Sequence, residues 1–321
     1  MEREFAQVRA AVFEPYTLFR VRPLSGRYVN VTAHGYRCGG GTVVWPPDTQ
    51  ATNLFVFGGS TAFGYVVADA ETIPAQLAAH CAAALPGQAI TVYNFASPNY
   101  VSVQERIRLE QLILTGAVPH VAIFIDGFDE FIAPYYAPRM FAPFEEALPP
   151  RTTWQQVLRL LHQCGSRRLP GWLRAQHNTA PSTASSPDQL PDPTTVLECY
   201  MTNTRLIKAI CASCGIQPLF VWQPVPCYRY EGAAGQPHTT AHGDSAPLLA
   251  CVRHGYQLMS TRRLTLSDKE FLWLADMQVG RGDNLYVDAD HYTPAFSRDI
   301  ASLIARHLCD TGFLEQRNAT C

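Results

Sequence analysis

A serine behind paired glycines, in Phe57-Gly58-Gly59-Ser60-Thr61, and a histidine with an aspartate three residues before it, in Asp288-Ala289-Asp290-His291, are the residues of this chain whose types fit nucleophilic chemistry. A serine hydroxyl attacks carbonyl carbon only when a base takes its proton. An imidazole does this when a carboxylate on its other ring nitrogen fixes the tautomer. Ser60 would then be the nucleophile, His291 the base and Asp288 the orienting acid. Each piece has a plainer reading by itself: Gly-Gly-Ser also makes an ordinary turn or a phosphate-cradling loop, and an Asp-x-x-His pair also makes a solvent-facing turn.

Four short apolar runs read as buried strands, Asn53 to Phe57, Ile90 to Asn94, Val121 to Ile125 and Pro218 to Trp222. Between and after them lie helical patterns: Ile73 to Leu85 with Pro74 in its first turn, Val101 to Thr115, Val196 to Cys214, and a last helix through Ile300 to Leu308. Strands alternating with helices imply a largely parallel sheet covered on both faces, with ligand chemistry in the loops after the strands. The polar residues stand at those positions: Ser60 after the first run, Asn94 to Ser102 after the second, Asp126-Gly127-Phe128-Asp129-Glu130 after the third and Gln223 after the fourth.

Taken in order and spacing, these four blocks resemble the SGNH/GDSL hydrolase family, over roughly Asn53 to Leu308. The resemblance implies a three-layer α/β/α domain of about five parallel strands in flavodoxin-like order. It also implies Ser60 as nucleophile with its own N–H facing the oxyanion, Asp288 and His291 completing the triad, and no metal or organic cofactor. The activity implied is hydrolysis of a small-molecule ester, or transfer of its acyl group. Two positions depart from the family pattern. Asn99 stands where a glycine usually donates its N–H to the oxyanion, and asparagine is the residue after glycine that best tolerates left-handed backbone angles. Asp129 stands where an asparagine amide usually donates, and an ionised carboxylate would repel the charge it should stabilise; a lost donor costs about 3 kcal/mol of transition-state stabilisation.

Three roles for Asp129 follow: a protonated acid donating through its O–H, a group turned toward a cationic part of the substrate, or the mark of a silent binding protein on the same fold. Retention of Ser60, Asp288 and His291 favours a working enzyme. Phe63, Tyr100, Phe128 and Tyr292 adjoin motif residues and are candidates for the acyl pocket, with Gln223 as a further lining residue; the plainer reading of all five is strand-end packing. An ordinary α/β-hydrolase is disfavoured because a single C-terminal loop here offers both acid and histidine. A nucleotide-binding reading lacks both a Gly-x-Gly-x-x-Gly and a P-loop lysine.

The 321 residues carry a formal charge of -2 with no basic block, which argues against nucleic acid and anionic membrane as partners. No run reaches bilayer-spanning length, Met1 to Arg20 lacks the apolar core of a secretory signal, and ten scattered cysteines suit reduced thiols, so the expectation is a cytoplasmic protein. Cys211 and Cys214 form a lone pair without partners for a metal, the sequons at Asn30 and Asn318 arise easily by chance, and Arg281-Gly282-Asp283 reads as a turn. Residues 1–321 are expected to form one domain with an N-terminal extension at 1–50, an insertion at 133–195 and a possible lid loop at 224–247.

Overall fold

The sheet that the apolar runs build can be followed in a computed structural model that describes residues 1–39, 43–133, 190–232, 246–288 and 290–315. The expected insertion lies outside the described residues from 134 to 189, as does the middle of the possible lid loop, 233–245. The chain opens with helix α1 (Glu2–Arg9), an antiparallel hairpin of β1 (Val12–Glu14) and β2 (Leu18–Arg20), and a second short pair, β3 (Leu24–Ser25) and β4 (Asn30–Val31). Then follow β5 (Thr52–Gly58), the short α2 (Ser60–Phe63), α3 (Ile73–Ala84), β6 (Ile90–Asn94), α4 (Ser102–Leu114) and β7 (Val121–Asp126). After the insertion come α5 (Pro193–Ser213), β8 (Gln217–Trp222), α6 (Ala246–Arg262), β9 (Phe271–Trp273) and α7 (Pro294–Asp310).

Strands β5 to β9 form one sheet in the order β6-β5-β7-β8-β9, every neighbouring pair parallel. This is the expected flavodoxin-like order, and its strand order reverses beside β5, the place where such sheets leave a crevice at their carboxyl ends. Side chains alternate across the sheet with the period of two that a pleated strand imposes. Leu54, Val56, Ile123, Ile125, Leu219 and Val221 pack in one core with residues of α3 and α7. Phe55, Phe57, Ala122, Phe124 and Phe220 pack in another with residues of α4 and α5. Both faces are therefore dry, which is why the strands read as unbroken apolar runs.

The helix ends follow local rules. Thr72, Asp192 and Thr293 each accept a backbone N–H from the first turn of the helix that follows, and Pro74 and Pro294 occupy first-turn positions where no amide is needed. The N-terminal segment is tied to the sheet: Phe5 and Val8 of α1 enter the core with Leu54 and Ile73, Glu4 accepts the backbone N–H groups of Arg27, Tyr28 and Val29, and Arg37 N–H donates to Asn94 O at the end of edge strand β6. Among the described residues no helix is long and apolar enough to cross a membrane. The Arg281-Gly282-Asp283 run, expected as a turn, is irregular chain just after one, bending at Asp283, and its arginine is held by Asp283 and Asp299. Cys211 is buried in the core, and burial pushes its thiol up to about 12, a setting adverse to a thiolate.

Candidate active site

Strand β5 ends at Gly58 and α2 begins at Ser60, so the chain must turn within one residue. Gly58 takes φ +151°, and a Cβ there would lie 2.5 Å from Ala62 Cβ and 2.8 Å from Ile125 O. A Cβ on Gly59 would lie 1.7 Å from Asp129 Oδ2. The first glycine thus permits the turn, and the second leaves room for the carboxyl of the neighbouring strand's loop.

The long sequence separation between serine and histidine closes in space. Ser60 Oγ lies 2.9 Å from His291 Nε2, and His291 Nδ1 lies 2.8 and 2.9 Å from the two oxygens of Asp288. Asp288 also accepts the backbone N–H of His291 at 2.9 Å and of Asp290 at 3.2 Å, which curls the loop so that acid and imidazole share one turn. Ser60 and His291 are buried at 9% and 5% exposure, while the Asp288 side chain keeps 27%. Burial tends to raise the Asp288 pKa, yet its bonds to the His291 ring and backbone bring it down to about 2, so it stays ionised and Nδ1 carries the proton. Nε2 is then the acceptor for the Ser60 hydroxyl.

Two residues of this site carried no assigned role in the sequence reading. Asp290 Oδ1 lies 3.1 Å from His291 Nδ1, a second carboxylate on the same ring nitrogen, and it is 4% exposed. Burial favours neutral imidazole, but Asp290 and then Asp288 outweigh it and raise the His291 pKa above its usual value. The Asp-x-Asp-His spacing was visible, but nothing in it says which carboxylate turns inward. Tyr65 packs its ring 4.8 Å from that of His291, with Arg9 of α1 donating to its hydroxyl. Nothing in the pattern around Tyr65 could have marked it. Asp288, Asp290 and His291 also have ligand atoms within 4.8 Å of one another; the ring nitrogen facing both acids holds a proton in the triad arrangement, which opposes a cation there.

The loops after β6 and β7 bring the two departing positions to the same end of the sheet. Asn99 has φ +64°, the left-handed backbone that glycine would adopt at no cost. Asp129 is buried, and its carboxyl meets the Ser60 backbone N–H. Burial first, and the nearby Asp290 charge second, push its pKa to about 7 despite that N–H and His291, which pull it down. Behind it Glu130, its carboxyl accepting the Ser102 N–H, is raised to about 7 by burial. Glu105 is raised well above the usual range by burial and then the Asp126 charge, and Asp126 by burial and then the Glu130 charge, against the pull of its contacts with Glu105 and Tyr200.

These buried acids bind more protons in the folded chain than in the unfolded one, so their contribution to stability is full below the unfolded pKa and lost as pH rises through the folded value. His291 has the same sign, and Asp288 acts only in strong acid. The melting temperature is therefore expected to fall steadily as pH is raised from about 5 to about 8, measured in one buffer series at constant ionic strength. A melting temperature that climbs over that range contradicts the buried acidic network.

The five pocket candidates are all buried in the structure. Phe63 is buried beneath the Arg37 guanidinium at 4.8 Å, Tyr100 donates its hydroxyl to Phe19 O at 2.6 Å, Tyr292 donates to Pro224 O at 2.8 Å, and Phe128 is 4% exposed. Gln223 Oε1 accepts the Thr61 hydroxyl at 2.5 Å, linking β8 to α2. Packing and tethering, the plainer alternative, thus describes what these side chains do in the structure. Arg37 supports the loop beyond Ser60, donating to Phe63 O at 3.0 Å, Gly64 O at 2.6 Å, Val67 O at 2.7 Å and Asp69 at 2.8 Å. The N-terminal segment thereby holds the serine turn in place.

No family model and no curated protein sequence matches the chain. Solved structures similar to it include a member of the lipolytic protein G-D-S-L family from Veillonella parvula, at 10% identity and TM-score 0.41, covering 81% of this chain and 97% of that one. TesA is similar at 12% identity and TM-score 0.42, covering 81% and 99%, and an acetylxylan esterase from Geobacillus stearothermophilus at 12% identity and TM-score 0.42, covering 83% and 97%.

Proposed function

We propose that the chain is a serine hydrolase of the SGNH/GDSL type that cleaves a small-molecule ester, or transfers its acyl group, through an acyl-enzyme. The observation that carries this reading is the continuous chain of contacts from Ser60 Oγ through His291 to Asp288, at 2.9 and 2.8 Å. Ser60 Oγ attacks the ester carbonyl as its proton passes to His291 Nε2, and the imidazolium is held by Asp288 and Asp290. His291 then returns the proton to the leaving alkoxide as the C–O bond breaks. Water, or an acceptor alcohol or amine, repeats the cycle on the acyl-enzyme and frees Ser60. The Asp129 carboxyl, which meets the Ser60 N–H in the substrate-free chain, gives up that contact as substrate enters. The oxyanion of each tetrahedral intermediate is then received by the N–H groups of Ser60 and Asn99 and by the O–H of protonated Asp129. No metal or organic cofactor enters these steps, and a cytoplasmic setting fits the scattered cysteines.

The contact of the Asp129 carboxyl with the Ser60 N–H favours one second reading, a catalytically silent binder whose oxyanion site is filled by its own acid. A fluorophosphonate probe separates the two. Native chain is expected to label stoichiometrically and Ser60→Ala not at all; equal labelling of both, or none of either under native conditions, counts against the enzyme.

A further inference from the structure

Away from the triad, the hairpin of β1 and β2 and the outer side of α4 enclose a recess of about 390 Å³ lined by Glu14, Arg20, His34, Arg108 and Gln111. Arg20, Arg108 and Gln111 also line an inner pocket of about 20 Å³ that reaches Ser97 and Tyr100. The smaller space has room for about one water-sized group and the larger for a small molecule. Two guanidiniums therefore face one space, and among the described residues a single carboxylate accompanies them: Glu14 accepts from Arg20 Nε at 2.8 Å. Among the described residues Arg108 has no carboxylate partner; it donates to His34 O at 2.6 Å and to Gln111 at 3.4 Å, and lies over the Phe95 ring at 5.4 Å.

Donors are left over. Arg20 Nη1 is buried without a partner, and so is the hydroxyl oxygen of Ser97, a residue that is 6% exposed and lines the inner pocket. Burial makes the Arg108 cation harder to hold than a free one; Tyr100 and Glu14 act against it, and the Arg20 charge adds to it. A buried donor without a partner and two like charges over one cavity are both relieved by an anion seated between them. Gly35 fits this use of the space, since a Cβ there would lie 2.9 Å from Arg108 Nη2.

We propose that this recess is a binding site for a small oxyanion, a carboxylate or phosphoryl group gripped by Arg20 and Arg108 with Ser97 at its inner end. The site stands on the back of the loop that carries Asn99, is separate from the triad, and does not depend on the hydrolase reading. Calorimetric titration of the full chain with inorganic phosphate, and in parallel with acetate, tests it. One saturable site is expected for at least one of the two, phosphate binding marking a phosphoryl site and acetate binding a carboxylate site. Arg108→Gln and Arg20→Gln should each weaken that binding about tenfold, with Arg262→Gln on the exposed end of α6 as the unchanged control. Should Arg108→Gln fail to fold, Arg20→Gln decides alone, because the partner of Arg20 is the Glu14 side chain, whereas Arg108 also holds the backbone carbonyl of His34. Absence of saturable binding of either anion, or isotherms that no arginine change in the recess alters, overturns the proposal.

Discussion

Alanine at His291 is expected to lower kcat on a short-chain aryl ester by about a million-fold, because nucleophile and base act as one unit and removing either abolishes the same step. Nε2 is the acceptor 2.9 Å from the Ser60 hydroxyl. No other group in the triad can replace it: Asp288 and Asp290 lie on the far side of the ring, at Nδ1. The comparison with Asp288→Asn makes the prediction sharper. Losing a lone orienting acid costs about ten-thousandfold where the tautomer then goes wrong, but here Asp290 remains 3.1 Å from Nδ1, so the loss should be clearly smaller. Steady-state kinetics on purified variants with unchanged melting curves supplies the numbers. His291→Ala that retains even one part in about a hundred of the native rate would mean that another base serves Ser60, and the triad reading would fail.

Much of this arrangement was legible because sheets of this kind write themselves plainly in sequence. Strands buried on both faces appear as unbroken apolar runs, and the four runs identified differ from the observed β5 to β8 by no more than a residue at either end. The fifth strand, Phe271–Trp273, escaped because it is a three-residue edge strand whose residues are only partly buried, so it carries little hydrophobic signal. Helix α6 was missed although Leu248, Val252, Tyr256 and Met259 are buried at helical spacing along one face, because its start at Ala246 adjoins a Gly- and Pro-rich stretch that reads as loop. Ser60, Asp288 and His291 were readable from motif spacing. Asp290, Tyr65 and Arg37 were not, since their roles arise from the direction of a side chain, a tilted ring packed against the imidazole from far along the chain, and a guanidinium closing a loop formed later in the chain.

Asp129 is where the pattern breaks, and its chemistry makes the second large prediction. A buried carboxyl held to about 7 by desolvation and by Asp290 is a neutral donor below that pH and a repelling anion above it. His291 imposes the opposite requirement, since only its neutral form accepts the Ser60 proton, and its pKa is raised. The rate should therefore rise with pH as His291 loses its proton and fall again as Asp129 does, leaving a narrow bell. Asp129→Asn supplies a donor at every pH, so the alkaline fall should vanish while the acid limb stays. Asp129→Ala removes the donor altogether and should lower kcat by about a hundredfold to a thousandfold across the whole range. A bound cationic substrate group predicts something different: Asp129→Asn would then raise KM for cationic esters alone and leave the shape of the profile intact. An alkaline limb that is the same in native chain and Asp129→Asn would show that Asp129 does not donate to the oxyanion, and its meeting with the Ser60 N–H would then be an obstacle the substrate has to displace.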